Sequence, residues 1–125
     1  MIRITSRFSL SIAFASAFTM LAIIVYLSLT HDVVEVPGDS NGRYSHVAAY
    51  GALMFICARL CATTRGRLLI GVLLVVLGVS LEYLQAMTTY RTFEYGDMVA
   101  NAIGVALGAF MQRTASVMAT ARQAP

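Results

Sequence analysis

Four mainly apolar stretches, separated by short polar segments, set the pattern of this chain. They run from about Phe8 to Leu29, Tyr44 to Cys61, Leu68 to Met87 and Met98 to Met111. A helix needs about 20 residues to cross a bilayer core of ~30 Å, and about 17 suffice. The first three stretches reach that length, and the fourth reaches it with a few interfacial residues. The pattern predicts an all-α polytopic membrane protein, a four-transmembrane-helix bundle forming a single domain over residues 1–125, with a mobile tail at about 114–125.

The positions of the arginines predict the orientation of this bundle. All nine basic residues are Arg, and only Arg43 and Arg91 fall at the connections on one side of the predicted membrane. The other seven fall on the opposite side: Arg3, Arg7, Arg59, Arg65, Arg67, Arg113 and Arg122. The positive-inside rule then places both termini in the cytoplasm.

Composition narrows the function classes. Charged residues make up 12% of the chain and hydrophobic residues 58%, whereas soluble domains carry about 25% charged residues. This excludes a disordered tail and most soluble enzymes. The net charge of +3 is explained by topology, so no nucleic-acid partner is expected. Two cysteines and the absence of soluble-enzyme motifs predict no metal and no cofactor.

Polar residues inside the spans are the informative ones, because lipid makes each of them costly. Glu82 lies about 8 Å below the outer end of the third span. Gln85 follows three positions later on the same helix face. Gly78 and Gly71 continue that stripe inward, where small residues let a neighbouring helix approach.

The second and fourth spans repeat this arrangement. Asp97, Asn101, Gly104 and Gly108 are spaced 4, 3 and 4 apart, which places them on one helix face. At the outer end of the second span stand His46 and Tyr50. With Glu82, Gln85 and Arg91, these polar residues reach one depth, the outer third of the membrane. We predict a polar site there, with His46, Glu82 and Asp97 as candidate catalytic residues and Tyr50, Gln85, Arg91 and Asn101 as candidate substrate-binding residues.

Purely structural interpretations compete with this one. Asp97 is a suitable helix N-cap, Glu82 and Arg91 could form an ion pair, and Tyr50 could be an interfacial anchor. Gly71, Gly78, Gly104 and Gly108 are interpreted as helix-packing residues.

Written in order, the pattern reads His46-x3-Tyr50, then Glu82-x2-Gln85-x5-Arg91-x5-Asp97-x3-Asn101-x2-Gly104-x3-Gly108. Over about residues 43–110 it resembles the VanZ-like family of bacterial membrane proteins. The chain departs from the family pattern at the start, with Gly42 at its acidic position and Val47 at its Phe. The resemblance implies a small helical protein of the bacterial inner membrane with a motif cluster near the outer face. The family is associated with resistance to glycopeptide antibiotics, chiefly teicoplanin.

Three functions are compatible with these residues. The first is a site that binds or modifies a lipid-linked cell-envelope substrate, with membrane lipids as its surroundings. In it, His46 and Glu82 form an acid–base pair and Arg91 holds a phosphate head group. The second is a non-catalytic accessory protein acting through partners. The third is a pathway for protons or solutes, which the carboxylate-free cytoplasmic half disfavours.

Overall fold

The computed structural model describes residues 3–30, 37–39 and 42–122, with side chains from Ser9 onward. In these residues it contains four α-helices and no strand. The helices are α1 (Arg3–Leu29), α2 (Arg43–Leu60), α3 (Thr64–Ala86) and α4 (Tyr95–Ala121). The all-helical fold predicted from the apolar pattern is confirmed. Most of the first connection and the end of the predicted tail, residues 123–125, lie outside the described residues.

Three of the helices are long and apolar enough to cross a membrane: α1 from Ser9 onward, α3 and α4. They support the assignment of the chain as a membrane protein with transmembrane helices. The second helix is 18 residues long, which is close to the length of a span. It is not among the three because Arg43, Ser45, His46 and Arg59 make it more polar than they are.

The helices are arranged around α2 and α3. Each of these two contacts all the others, whereas α1 and α4 do not contact each other in the described part of the chain. Helices α2 and α4 run in the same direction, with Val47 against Gly104 and Met54 against Gly108. The small core is centred on α2, where Tyr50, Leu53, Met54 and Ala58 are buried.

The fourth helix is longer than its apolar span predicted. It begins at Tyr95 and ends at Ala121, ten residues beyond Met111. Residues 112–121 contain no Gly or Pro and therefore nothing that ends a helix. The predicted tail is thus helical as far as Ala121, because a helix that leaves the apolar core can continue through a polar sequence.

Candidate functional site

Glycines bring the backbones of α2 and α4 together beneath the polar residues. A Cβ added at Gly104 would lie 2.5 Å from the Val47 carbonyl oxygen, and one at Gly108 would overlap the carbonyl oxygen of Gly51. Gly51 is a packing residue that the sequence interpretation missed. The signal that could have found it is the run of small residues at 48, 49, 51 and 52.

The two glycines of α3 differ in what they accommodate. A Cβ at Gly78 would lie 2.7 Å from Asn101 Nδ2, so the missing side chain makes room for this amide. At Gly71 the nearest atom, Val105 Cγ1, would be 3.5 Å away, which is ordinary contact distance. Close approach therefore matters at Gly78 and not at Gly71.

His46 is the centre of a polar cluster between α2 and α4. Its Nδ1 lies 2.8 Å from Asn101 Oδ1, and its Nε2 lies 3.5 Å from Asp97 Oδ2. The amide oxygen of Asn101 can only accept, so Nδ1 carries the hydrogen of that bond. The other ring nitrogen then faces a carboxyl group.

The contact between His46 and Asp97 joins two groups that can each carry a proton. With Nδ1–H fixed by Asn101, a neutral ring presents a lone pair at Nε2, and a second proton makes the ring an imidazolium. When the ring is protonated and the carboxyl group is ionised, the 3.5 Å contact between Nε2 and Asp97 Oδ2 is an ion pair. Such a pair can give or take a proton at a bound group. The other oxygen of the carboxyl, Asp97 Oδ1, is buried without a hydrogen-bond partner.

Glu82 is placed elsewhere than the sequence suggested. Its side chain is 1% exposed, and Oε1 accepts a hydrogen bond of 2.6 Å from the backbone N–H of Glu94, the N-cap residue of α4. The carboxyl group at ion-pair distance from His46 is that of Asp97, and no described contact joins Glu82 to Arg91. Helix α4 begins at Tyr95, so Asp97 lies in its first turn and is not its N-cap. The side chain that accepts from the amide at the start of α4 is that of Glu82.

Gln85 and Arg91 bind the end of α1. The last four carbonyl groups of a helix have no partner within it. Here Thr30 N donates to Tyr26 O at 2.9 Å. The next three carbonyls accept from the α3–α4 region: Leu27 O from Arg91 Nη2 at 3.3 Å, Ser28 O from Gln85 Nε2 at 2.9 Å and Leu29 O from the Tyr90 hydroxyl at 2.9 Å. These contacts join α1 to the rest of the bundle and satisfy groups that lipid could not.

A cavity of about 220 Å³ lies between α1, the start of α2 and the α3–α4 region. Four of the predicted site residues line it: His46, Tyr50, Gln85 and Arg91. The Nε–H of Arg91 is buried and has no hydrogen-bond partner. The cavity is therefore lined by a guanidinium group with an unused donor, next to an imidazole that contacts a carboxyl group.

The structure thus divides the predicted site residues into groups. Asp97 and Asn101 do not line the cavity, but they hold the imidazole that does. Glu82 is neither in the lining nor at His46. Among the described residues, no group of three or more His, Cys, Asp or Glu side chains is placed to hold a metal ion.

Asp39, just before α2, binds Ser45, which lines the cavity. Its carboxylate accepts from the Ser45 hydroxyl at 2.6 Å, from Ser45 N at 2.7 Å and from Tyr44 N at 3.1 Å. The Ser45 hydroxyl makes the largest contribution to holding the pKa of the Asp39 carboxyl below its usual range, and desolvation opposes it. Asp39 therefore supplies the contact at the start of α2 that Gly42, the N-cap residue, cannot make.

Arg43 lies across the start of α4. A Cβ at Gly96 would be 2.6 Å from Arg43 Nε, so the glycine lets the guanidinium group rest on the backbone. Arg43 Nη2 is also 3.7 Å from Glu94 Oε2, in a pair whose side chains are 51% and 44% exposed. An exposed pair of this kind stabilises little, so its role is to position the two helix ends.

Comparison of the chain with protein-family models, with curated proteins and with solved structures finds no match. Function is therefore inferred from the site.

Proposed function

We propose that this chain is a VanZ-like protein of the bacterial inner membrane whose polar site, near the outer leaflet, binds the head group of a lipid-linked cell-envelope substrate. All four helices cross the membrane in this proposal, with both termini in the cytoplasm. The arginine distribution supports this orientation. The site would then lie at the level of lipid head groups.

Membrane crossing by α2 has support from its surroundings. Its 18 residues span about 27 Å, close to the thickness of the bilayer core. It is in contact with α1, α3 and α4, so less of its surface faces lipid. Its polar residues Ser45 and His46 stand in its first turn, and Arg59 stands in its last.

The observation that carries the proposal is the incomplete hydrogen bonding of the Arg91 guanidinium group. One guanidinium nitrogen is held by Leu27 O, while Nε–H is buried without a partner beside the cavity. A buried unsatisfied donor costs about 1–3 kcal/mol, and more on a charged group. A phosphate oxygen in the cavity would satisfy it through a charge-assisted hydrogen bond. The cavity volume of about 220 Å³ suits a head group and not a whole lipid.

The His46–Asp97 pair gives this site its chemistry. When Nε2 or the carboxyl group carries a proton, that proton is available to a phosphate or hydroxyl group in the cavity. Asn101 is a positioning residue, because its bond to Nδ1 fixes the ring. The proposal assigns anion binding to Arg91 and proton transfer to His46 with Asp97.

Binding of a polyprenyl phosphate to the purified protein in zwitterionic vesicles tests the proposal. We expect saturable binding that requires the phosphate, so the corresponding polyprenol binds far more weakly. Arg91→Gln should weaken phosphate binding about tenfold or more, the loss expected for a charge-assisted hydrogen bond of about 1.5–3 kcal/mol. His46→Gln should bind with a smaller loss and fail in any turnover of the phosphate.

Arg113→Gln is the matched control, since Arg113 is exposed and far along α4 from the cavity. It should bind as the wild-type protein does. Equal binding by folded Arg91→Gln and wild-type protein would overturn the proposal, as would equal binding of the phosphate and the alcohol.

The helix-end contacts favour a second candidate, a non-catalytic accessory protein. Glu82, Gln85 and Tyr90 all bind backbone groups at the ends of α1 or α4, which is what a purely structural cluster would do. In that case Arg91→Gln lowers the thermal unfolding temperature in detergent and no phosphate-specific binding is seen in the wild-type protein.

A further inference from the structure

An apolar groove runs along the face of α2 and α4 opposite the polar cavity. Its volume is about 450 Å³, and its walls are carbon-rich, including Gly51, Ala52, Phe55, Ile56, Leu107 and Met111. On α2 it extends from Val47 to Ile56, nine residues or about 14 Å along the axis. That is about half of a ~30 Å core, and the groove occupies the middle of α2, four residues from either end of the helix.

The groove exists because small residues line it. Ala48 and Ala52 are exposed on this face. Gly51 and Gly108, which bring the two backbones into contact, form its floor. An apolar groove of this length, with glycine backbone in its floor, fits an extended hydrocarbon chain.

The charge at one end of the groove indicates which class of lipid head group would bind there. Arg59 lies three residues after Ile56 and four after Phe55, so it follows the groove on the same face of α2. Arg59 is exposed, and no hydrogen bond or ion pair joins it to any described residue. In the sequence, all six acidic residues fall in or beside the connections between α1 and α2 and between α3 and α4, whereas Arg59 precedes the connection between α2 and α3. The groove thus ends at an unneutralised cation.

We propose that this groove holds one acyl chain of an anionic phospholipid, whose phosphate binds Arg59. The lipid belongs to the leaflet at which α2 ends. Its chain lies against Phe55 and Ile56, while the head group meets the guanidinium group one helical turn further on. This site is separate from the polar cavity at the outer end, and it does not depend on the function proposed there.

Tryptophan quenching by brominated lipids tests the site directly, because the chain contains no Trp. Phe55→Trp places one reporter in the groove. Phe18→Trp provides a matched control, since Phe18 is 75% exposed on α1 and lies 11 residues from the outer end of that helix, while Phe55 lies 12 residues from the outer end of α2. Both proteins are reconstituted in mixtures of phosphatidylglycerol and phosphatidylcholine, with either lipid brominated.

At Phe55→Trp we expect brominated phosphatidylglycerol to compete about fivefold better than brominated phosphatidylcholine, because one basic residue near a membrane surface contributes ~1 kcal/mol towards anionic lipid. At Phe18→Trp the two lipids should quench equally. Adding Arg59→Gln should remove the preference at Phe55→Trp, and Arg59→Lys should keep most of it. Arg113→Gln should leave it unchanged.

Three results would overturn the proposal. A preference that survives Arg59→Gln would place the charge effect elsewhere. Equal quenching by both lipids at Phe55→Trp would mean that the groove does not select anionic lipid. A Phe55→Trp reporter that neither lipid quenches would mean that another helix, from a second copy or a partner, covers the groove.

Discussion

Asp39 shows how a carboxylate four residues before a helix can stabilise the start of that helix. Helix α2 begins at Arg43 with Gly42 as its N-cap, a residue without a side-chain acceptor. Asp39 reaches forward to the amides of Tyr44 and Ser45 and to the Ser45 hydroxyl. Because these donors favour the carboxylate, the start of α2 is tied to the ionised form of Asp39.

The pH dependence of this contact has a definite sign. The folded pKa of Asp39 is lowered, so the contact stabilises the helix start fully at pH values above the unfolded pKa of about 3.9. It is lost as the pH falls through the lower folded pKa. We expect NMR titration of the Asp39 carboxyl in detergent micelles to give a midpoint below the ordinary value.

Ser45→Ala is the informative control, because the Ser45 hydroxyl is the largest cause of the lowered pKa. The variant should move the Asp39 midpoint upward, towards the ordinary value, while the amide contacts remain. An Asp39 midpoint at or above the ordinary value in the wild-type protein would contradict the assigned contact.

At the scale of the helices, the atoms around each glycine predict the effect of replacing it with alanine. The spacing of the glycines in the sequence does not. Gly71 and Gly108 were interpreted alike from the sequence, as packing residues. In the structure a Cβ at Gly108 meets backbone atoms of Gly51, whereas one at Gly71 meets Val105 Cγ1 at an ordinary 3.5 Å. Backbone cannot rotate away as a side chain can, so the two positions should respond oppositely to the same substitution.

We expect Gly108→Ala to destabilise the protein by about 1–3 kcal/mol, the usual cost of overpacking. Gly71→Ala should be neutral or stabilising by up to about 1 kcal/mol, because Ala favours the helix over Gly. Far-UV circular dichroism during thermal unfolding in detergent measures both. Equal losses in the two variants would show that α2 and α4 do not touch at Gly51.

Helices were predictable from the sequence where apolar length or residue spacing decides the outcome. The four elements follow from apolar runs, and the stripe of Asn101, Gly104 and Gly108 does face its neighbours, since all three are buried. The apolar pattern predicts the end of α4 too early, because a change to polar residues marks the end of the apolar core and not the end of the helix.

Pairing between helices was less predictable, because spacing on one helix fixes a face but not the atom opposite it. Glu82 and Asp97 are both carboxyl groups near the α3–α4 connection. Only the position at which α4 begins decides that Glu82 meets the Glu94 amide while Asp97 meets His46. Arg91 likewise had no sequence signal for the Leu27 carbonyl, since this acceptor belongs to the backbone.

For the whole molecule, the crossing of the membrane by α2 has the largest consequence, because it decides on which side every later segment lies. If four helices cross with the N terminus in the cytoplasm, the α2–α3 connection is cytoplasmic and the α3–α4 connection is external. If only α1, α3 and α4 cross, these two connections exchange sides. His46 follows the α1–α2 connection and is external in both cases, whereas Arg91 is external only in the first, so the proposed substrate site depends on the same point.

Ala62 and Thr92 are exposed residues in the two connections and can report this difference. We expect Ala62→Cys to react with a membrane-impermeant maleimide only after the cells are permeabilised, and Thr92→Cys to react in spheroplasts that are still intact. Both variants are made in a Cys57→Ala, Cys61→Ala background, because these two native cysteines are free and partly accessible. Labelling of the unaltered background gives the baseline. The reverse pattern would place Arg91 at the inner surface, where a head group from the outer leaflet could not reach it.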